Sequence, residues 1–207
     1  MKWGRIEVRG VPVRVRLEGG DLVADDGTRY PSAKAKFLPP VVPPNFYAAG
    51  LNGYRSNNAL VGSGADIVIP ADSKGPVEYE GELVAVIGRA ARNVSEKEIL
   101  GYVSGYTLGN DVSERGWQKS DRTLWRAKNA DTFKPMGPFV VDGIDPMNQT
   151  IEVRINGRTV SSYSTRGMIF SVAQYLARMS RYLTLQPGDL VEVVNDAIGV
   201  LANRVTK

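Results

Sequence analysis

The chain has 207 residues, 26 Lys and Arg against 22 Asp and Glu for a formal net charge of +4, and neither cysteine nor histidine. Lack of cysteine excludes disulfides, thiolate metal sites and a cysteine nucleophile, so any resident metal must be held by oxygen. Lack of histidine removes the commonest zinc ligand and the side chain most often used as a base near neutral pH.

The basic residues are dispersed and interleaved with acids, as in Glu96-Lys97-Glu98 and Ser113-Glu114-Arg115, so there is no basic stripe and no nucleic-acid partner is expected. No apolar run approaches the roughly 18 residues of a membrane span. The N-terminus, with Arg5, Glu7 and Arg9, lacks the hydrophobic stretch of a signal peptide. A cytoplasmic protein without membrane contact is the expectation.

From Arg5 to Tyr30 the chain alternates, with Val11, Val13, Val15 and Leu17 on one side and Arg14 and Arg16 on the other. Turns are expected at Gly19-Gly20-Asp21 and Asp25-Asp26-Gly27, which predicts a small β module. Pro39-Pro40 and Pro43-Pro44 then mark a linker, because a run this rich in proline suits neither a helix nor a central strand. Two units are therefore expected, an N-terminal β module with its linker over residues 1–45 and a main domain over 46–207.

In the main domain, Phe46 to Leu51 is a short apolar run, Ile67-Val68-Ile69 a strand, and Val77 to Ile87 a longer strand. Ser95-Glu96-Lys97-Glu98 has capping-box spacing and predicts a helix start before Ile99. A strand follows from Tyr102 to Asp111, and Asn156-Gly157 predicts a hairpin turn within Thr150 to Val160. The clearest helix follows Ser171: Ser171 and Gln174 form a capping box, and Val172, Tyr175, Leu176, Met179, Tyr182 and Leu183 recur at helical spacing. Gln186-Pro187-Gly188-Asp189 closes that unit with a turn. The whole reads as β-rich α+β.

Residues two apart on a strand share a face, so Glu78, Glu80 and Glu82 align on a face that continues as Val84 and Val86. Carboxylates on a face that turns apolar are costly unless a cation or donors compensate, which points to a metal. A solvated strand face is the competing reading of the same spacing. Asp111, at the end of a nearly uncharged strand, fits either a third ligand or a turn residue, and Lys128 read alone is an ordinary surface lysine.

Several segments in order remove that ambiguity. They are Tyr79-Glu80-Gly81-Glu82-Leu83-Val84-Ala85-Val86-Ile87-Gly88, Gly105-Tyr106-Thr107-Leu108-Gly109-Asn110-Asp111-Val112-Ser113, Lys128 with Asp131-Thr132-Phe133, and Pro135-Met136-Gly137-Pro138. Asn156-Gly157, Met168-Ile169-Phe170-Ser171 and Leu185-Gln186-Pro187-Gly188-Asp189 complete the series. Together they resemble the fumarylacetoacetate hydrolase family, including its acylpyruvate hydrolases and 2-hydroxyhepta-2,4-diene-1,7-dioate isomerases, from about Phe46 onward. The resemblance implies the mixed β-roll of that family's C-terminal domain, commonly paired as a homodimer. It makes Glu80, Glu82 and Asp111 ligands of Mg2+ or Mn2+, Lys128 the catalytic cation beside the substrate's oxyanion, and Gln118 a substrate-side donor. The implied substrate is a small 2-oxo or 1,3-dicarbonyl acid, whose carbonyl a metal polarises while the developing enolate is stabilised.

The chain departs from the pattern in three places. Members of the family usually place a tyrosine and a His-x-x-Glu pair after Gly-Leu-Asn, but here Gly50-Leu51-Asn52 runs directly into Gly53-Tyr54-Arg55-Ser56. A Gly-Thr-rich loop is missing near Asp189-Leu190, and Gly116 replaces a common aspartate. The leading expectation is a metal-dependent hydrolase that cleaves a carbon–carbon bond in an acylpyruvate-like acid during aromatic catabolism. One alternative is isomerisation or decarboxylation of an unsaturated 2-hydroxy dioate. Another, if the lid near Asn52 and Gly53 is truly deleted, is an inactive metal-binding homologue.

Overall fold

A computed structural model of the chain describes residues 1–48, 53–193 and 200–207. The Gly50-Leu51-Asn52 segment, and with it the junction to Gly53, lies outside the described residues.

The N-terminal alternation forms β1 (Lys2–Val8), β2 (Val11–Glu18), β3 (Asp21–Ala24), β4 (Arg29–Pro31) and β5 (Lys36–Leu38). Both expected turns are present, and a third at Arg9 (φ 51) and Gly10 (φ 81) takes the left-handed conformations of a tight hairpin. Ile6, Val15, Leu22 and Ala24 pack with Phe139, far along the chain, into one buried cluster. The prolines after Leu38 carry the chain to β6 (Phe46–Ala48) and β7 (Gly53–Tyr54), followed by β8 (Leu60–Gly62) and β9 (Asp66–Val68).

The expected long strand from Val77 to Ile87 is interrupted. It forms β10 (Val77–Glu78) and β11 (Gly81–Ile87), which pair with different partners. The break at Tyr79 and Glu80 takes Glu78 out of the alignment with Glu80 and Glu82. Glu78 instead faces solvent, with its side chain 51% exposed, and pairs with Arg115.

Beyond β11 come β12 (Val103–Asn110), β13 (Ser113–Glu114), α1 (Arg115–Gln118), α2 (Trp125–Asn129) and β14 (Lys134–Val141). The hairpin β15 (Thr150–Ile155) and β16 (Arg158–Ser164) turns at Asn156 (φ 52) and Gly157 (φ 78), as the dipeptide predicts. Helix α3 (Val172–Tyr182) carries the complete Ser171–Gln174 capping box, and β17 (Leu190–Val193) and β18 (Arg204–Thr206) follow.

The helix expected after Ser95 is one 3-10 turn, Ile99–Tyr102. Gly101 is a poor helix residue and Val103 is already committed to pairing with Ile87, so the helix has no room to propagate.

One large sheet runs in the order β4-β3-β2-β1-β14-β12-β11-β17-β6-β7, with β5 on β1 and β8 on β14. It is mixed, since β14–β8 and β17–β6 are parallel while β11 is antiparallel to both β12 and β17. Strand β11 lies near its centre and is buried on both faces from Leu83 to Ile87, the near-continuous apolar run such a position requires. Leu83, Ala85 and Ile87 pack under α3 with Val172 and Leu176. Val84 and Val86 face the other way, toward Phe46, Met136, Val140 and Leu190.

On α3 the expected stripe holds at Val172 and Leu176, with Tyr175 and Met179 partly buried, but Tyr182 is 76% exposed. Ala177 and Ser180 take the remaining buried positions, Ser180 with its hydroxyl accepting the Val94 N–H at 3.0 Å and donating to the Ala177 carbonyl at 2.8 Å.

Leu176 is fully buried. Leu176→Ala should cost roughly 2–5 kcal/mol in chemical denaturation, and a midpoint shift near zero would show that α3 does not cover this core.

Candidate metal and active site

Antiparallel pairing of β11 with β12 sets Gly81 opposite Asn110 and Glu82 opposite Gly109. The ladder extends one step further, with the Asp111 N–H donating to the Glu80 carbonyl at 2.9 Å and the Glu80 N–H to Asn110 Oδ1 at 3.0 Å. This pairing brings the three expected carboxylates together. Glu80, Glu82 and Asp111 each offer one oxygen, all within 4.8 Å of one another.

Lys128 meets them from α2. That helix starts after Leu124, whose φ of 58 is strained for a leucine, and Asp121 Oδ2 caps it by accepting the N–H groups of Arg126 (2.8 Å) and Ala127 (2.9 Å). The buried Lys128 Nζ donates to Asp111 Oδ2 at 2.6 Å and to Glu80 Oε2 at 2.8 Å. Gln118 stands further out, where its Oε1 accepts from Arg115 Nη1 at 2.7 Å. Arg115 also reaches Glu80 Oε1 at 2.7 Å, which links Gln118 to the carboxylates through one guanidinium.

The structure adds three charged residues that sequence reasoning passed over. Arg55 grips Asp111 in a bidentate pair, Nε to Oδ1 at 3.1 Å and Nη2 to Oδ2 at 2.8 Å. Lys134, fully buried, lies 2.6 Å from Asp111 Oδ1. Glu192 of β17 pairs with Val84 of β11, which points it to the same face as Glu82. Among the described residues its carboxylate oxygens have no hydrogen-bond partner, and Arg55 Nε is 3.7 Å from Oε2. Gly109 makes that placement possible, because a Cβ there would lie 2.8 Å from Val84 Cγ2 and 3.2 Å from Glu192 Oε1. A signal did exist for two of these: Lys134 and Glu192 are single charges within otherwise apolar strands. Arg55 had no such mark.

Gly116, at the position where an aspartate is common, is tightly enclosed. A Cβ there would lie 3.1 Å from both Glu114 carboxylate oxygens and 3.2 Å from Gly75 Cα, so glycine avoids crowding and a second negative charge. Glu114 is itself buried and caps α1 by accepting the Trp117 N–H.

These contacts divide the carboxylates into two kinds. Burial opposes ionisation of Asp111, but Lys134, Arg55 and Lys128 outweigh it and hold Asp111 well below the usual carboxylate range. Glu82 is pushed well above that range by burial, then by Glu192, Asp111 and Glu80. Glu192 is raised to about 8, by burial first and by Asp111 second. Glu82 forms no ion pair among the described residues. Carboxylates this short of positive charge, in an all-oxygen donor set, fit a hard divalent cation.

Tyr163 Oη donates to the Gly81 carbonyl at 2.6 Å, tying the β15–β16 hairpin beside Glu82. Burial, then Glu82 and Glu80, raise its hydroxyl to about 12. A cavity of about 780 Å³ lies between β6–β7 and α3, lined by Tyr47, Tyr54, Phe170 and Tyr175, and none of the site carboxylates lines it.

A mixed β-roll with three converging carboxylates and a buried lysine defines a class of acidic sites whose donors could hold a divalent ion. The chain belongs to the fumarylacetoacetate hydrolase family: the family model described as Fumarylacetoacetate (FAA) hydrolase C-terminal matches residues 34–193. It is 35% identical over 223 residues to an uncharacterized protein of Archaeoglobus fulgidus, covering 91% of this chain and 89% of that protein. It is 43% identical over 141 residues to a 2,4-didehydro-3-deoxy-L-rhamnonate hydrolase of a Sphingomonas species, covering 66% of this chain but 49% of that enzyme. Among solved structures, the 2-hydroxyhepta-2,4-diene-1,7-dioate isomerase of Mycobacterium marinum superposes with a TM-score of 0.90 at 31% identity, over 100% of this chain and 98% of that one. Members of the family are enzymes, hydrolases and isomerases among them. Among the described residues, no helix is long and apolar enough to cross a membrane.

The sign of one titration follows from these contacts. A folded Glu192 keeps its proton between the ordinary value of 4.5 and about 8, where the unfolded chain has released it, so its contribution to stability is complete below 4.5 and is lost as pH rises through that window. Measured with a chelator present, the stability of Glu192→Gln relative to the unmodified protein should rise from pH 4.5 to about 8 and then level off. A difference that does not vary with pH would show that Glu192 ionises normally.

Proposed function

We propose that the chain is a divalent-metal enzyme that stabilises an enolate of a small 2-oxo, 1,3-dicarbonyl acid. The observation that carries this reading is the convergence of Glu80, Glu82 and Asp111 with the Lys128 ammonium between two of them. An Mg2+ or Mn2+ ion held by those carboxylates would supply a Lewis acid for the substrate's carbonyl oxygen. Lys128 adds a fixed positive charge from a buried position, where it weighs more than it would in water. Arg115 and Gln118, at the more open side of Glu80, supply donors for a substrate carboxylate.

Hydrolysis of an acylpyruvate and isomerisation or decarboxylation of an unsaturated dioate share this electron sink. Hydrolysis needs a water made nucleophilic and isomerisation a base that moves a proton between carbons, and with no histidine in the chain either task falls to another side chain such as a carboxylate. The similarity to the M. marinum isomerase, over nearly the whole of both chains, supports the second pair, and that to about half of the Sphingomonas hydrolase supports the first. The exposed Ile169 (90%) and Phe170 (48%) support pairing of two copies as a homodimer, and the cysteine-free composition supports a cytoplasmic location.

Glu80→Ala should abolish Mn2+ binding in calorimetry, together with Mn2+-dependent turnover of a 2-hydroxyhepta-2,4-diene-1,7-dioate followed by ultraviolet absorbance. Unchanged Mn2+ affinity would refute the ligand assignment. Tight Mn2+ binding with no turnover of either the dioate or an acylpyruvate would leave the metal-binding homologue as the correct reading.

A further inference from the structure

Asp111 has two carboxylate oxygens and three cationic side chains on them. Arg55 is shared with Glu192, and Lys128 is shared with the partly exposed Glu80. Lys134 differs from both. Its Nζ is fully buried and, besides Asp111, donates to the backbone carbonyls of Phe133 at 2.9 Å and Val112 at 3.2 Å. Those carbonyls belong to its own strand junction and to the residue after Asp111, so the ammonium is anchored and has no path to a substrate.

Most of the cluster's negative charge is already met. Glu78, Glu80, Glu82, Asp111 and Glu192 give five negative charges when all are ionised, against four positive ones from Arg55, Arg115, Lys128 and Lys134. A divalent cation arriving among Glu80, Glu82 and Asp111 therefore enters a site whose attraction is partly spent, and it shares Asp111 with an ammonium that cannot swing away. Like charges this close repel strongly where water is scarce.

We infer that Lys134 is a built-in competitor of the divalent cation, holding Asp111 in its place and weakening the site so that occupancy follows the free concentration of the ion. The inference rests on the metal reading of Glu80, Glu82 and Asp111. It predicts that neutralising Lys134 tightens metal binding, the reverse of what loss of a structural ion pair would do.

The test is Mn2+ titration, read by electron paramagnetic resonance of the free ion, on the unmodified protein, Lys134→Met and Lys134→Gln. Glutamine keeps a donor for the carbonyls and removes the charge. Lys36→Gln, which deletes an exposed cation paired with Glu7, controls for net charge. Both Lys134 variants should bind Mn2+ at least about tenfold tighter, and Lys36→Gln should match the unmodified protein. Unchanged or weaker binding in either folded Lys134 variant overturns the inference. In the unmodified protein, Mg2+ should also shift the Cε resonance of Lys134 in a 13C-lysine-labelled sample, and no shift would overturn it whether or not the variants fold. Failure of this inference is distinguishable from failure of the metal reading, because only the latter leaves Glu80→Ala binding Mn2+ as the unmodified protein does.

Discussion

A carboxylate fully enclosed by protein is tolerable only if positive charge and hydrogen bonds replace the water it has lost, and Asp111 is such a group. Its two oxygens are met by Arg55 from the segment after β7, Lys128 from α2 and Lys134 from the start of β14. Three separate parts of the chain are thereby tied to the end of β12, and each must be in place before the charge can be buried. The same ties fix where Glu80 and Glu82 stand, because the Asp111 N–H extends the β11–β12 ladder onto Glu80. Site and fold depend on one ion cluster.

The sheet supplies the precision. Register between β11 and β12 decides which carboxylates meet, and the missing side chain at Gly109 leaves the space that Glu192 enters from β17. Breaking the long strand at Tyr79 and Glu80 serves the same end. It releases Glu78 to the surface with Arg115 and keeps Glu80 at the mouth of the cluster, where it bridges the buried Lys128 and the more exposed Arg115. On the opposite face, the β15–β16 hairpin reaches β11 through Tyr163 and α3 packs its capped, amphipathic length against the core.

Charge is distributed unevenly across this small volume. Asp111 is over-supplied with cations, while Glu82 and Glu192 are under-supplied and favour their protonated forms. A hard cation placed among the carboxylates would correct the second condition at the expense of the first. The proposed affinity for divalent ions and the proposed limit on it both follow from this distribution, and neither calls for histidine or cysteine.

The sequence by itself determined the elements whose signals are local: the hairpin at Asn156-Gly157, the Ser171–Gln174 box and its helix, and the turns between the N-terminal strands. Turn dihedrals and caps depend on neighbouring residues, so they are legible without a fold. The carboxylates Glu80, Glu82 and Asp111 and the cation Lys128 were visible as a pattern of motifs, but spacing alone favoured a solvated strand face. Tertiary structure decided the rest, since burial and pairing between residues far apart in the chain are not written in local spacing. Arg55 and Asp111 are 56 positions apart, and Lys134, read as one cation among 26 Lys and Arg, became fully buried, like Lys128, only when β14 entered the sheet between β1 and β12. The helix expected after Ser95 shortened to a single turn for the same reason: once Val103 paired with Ile87, the long-range ladder overrode the local signal.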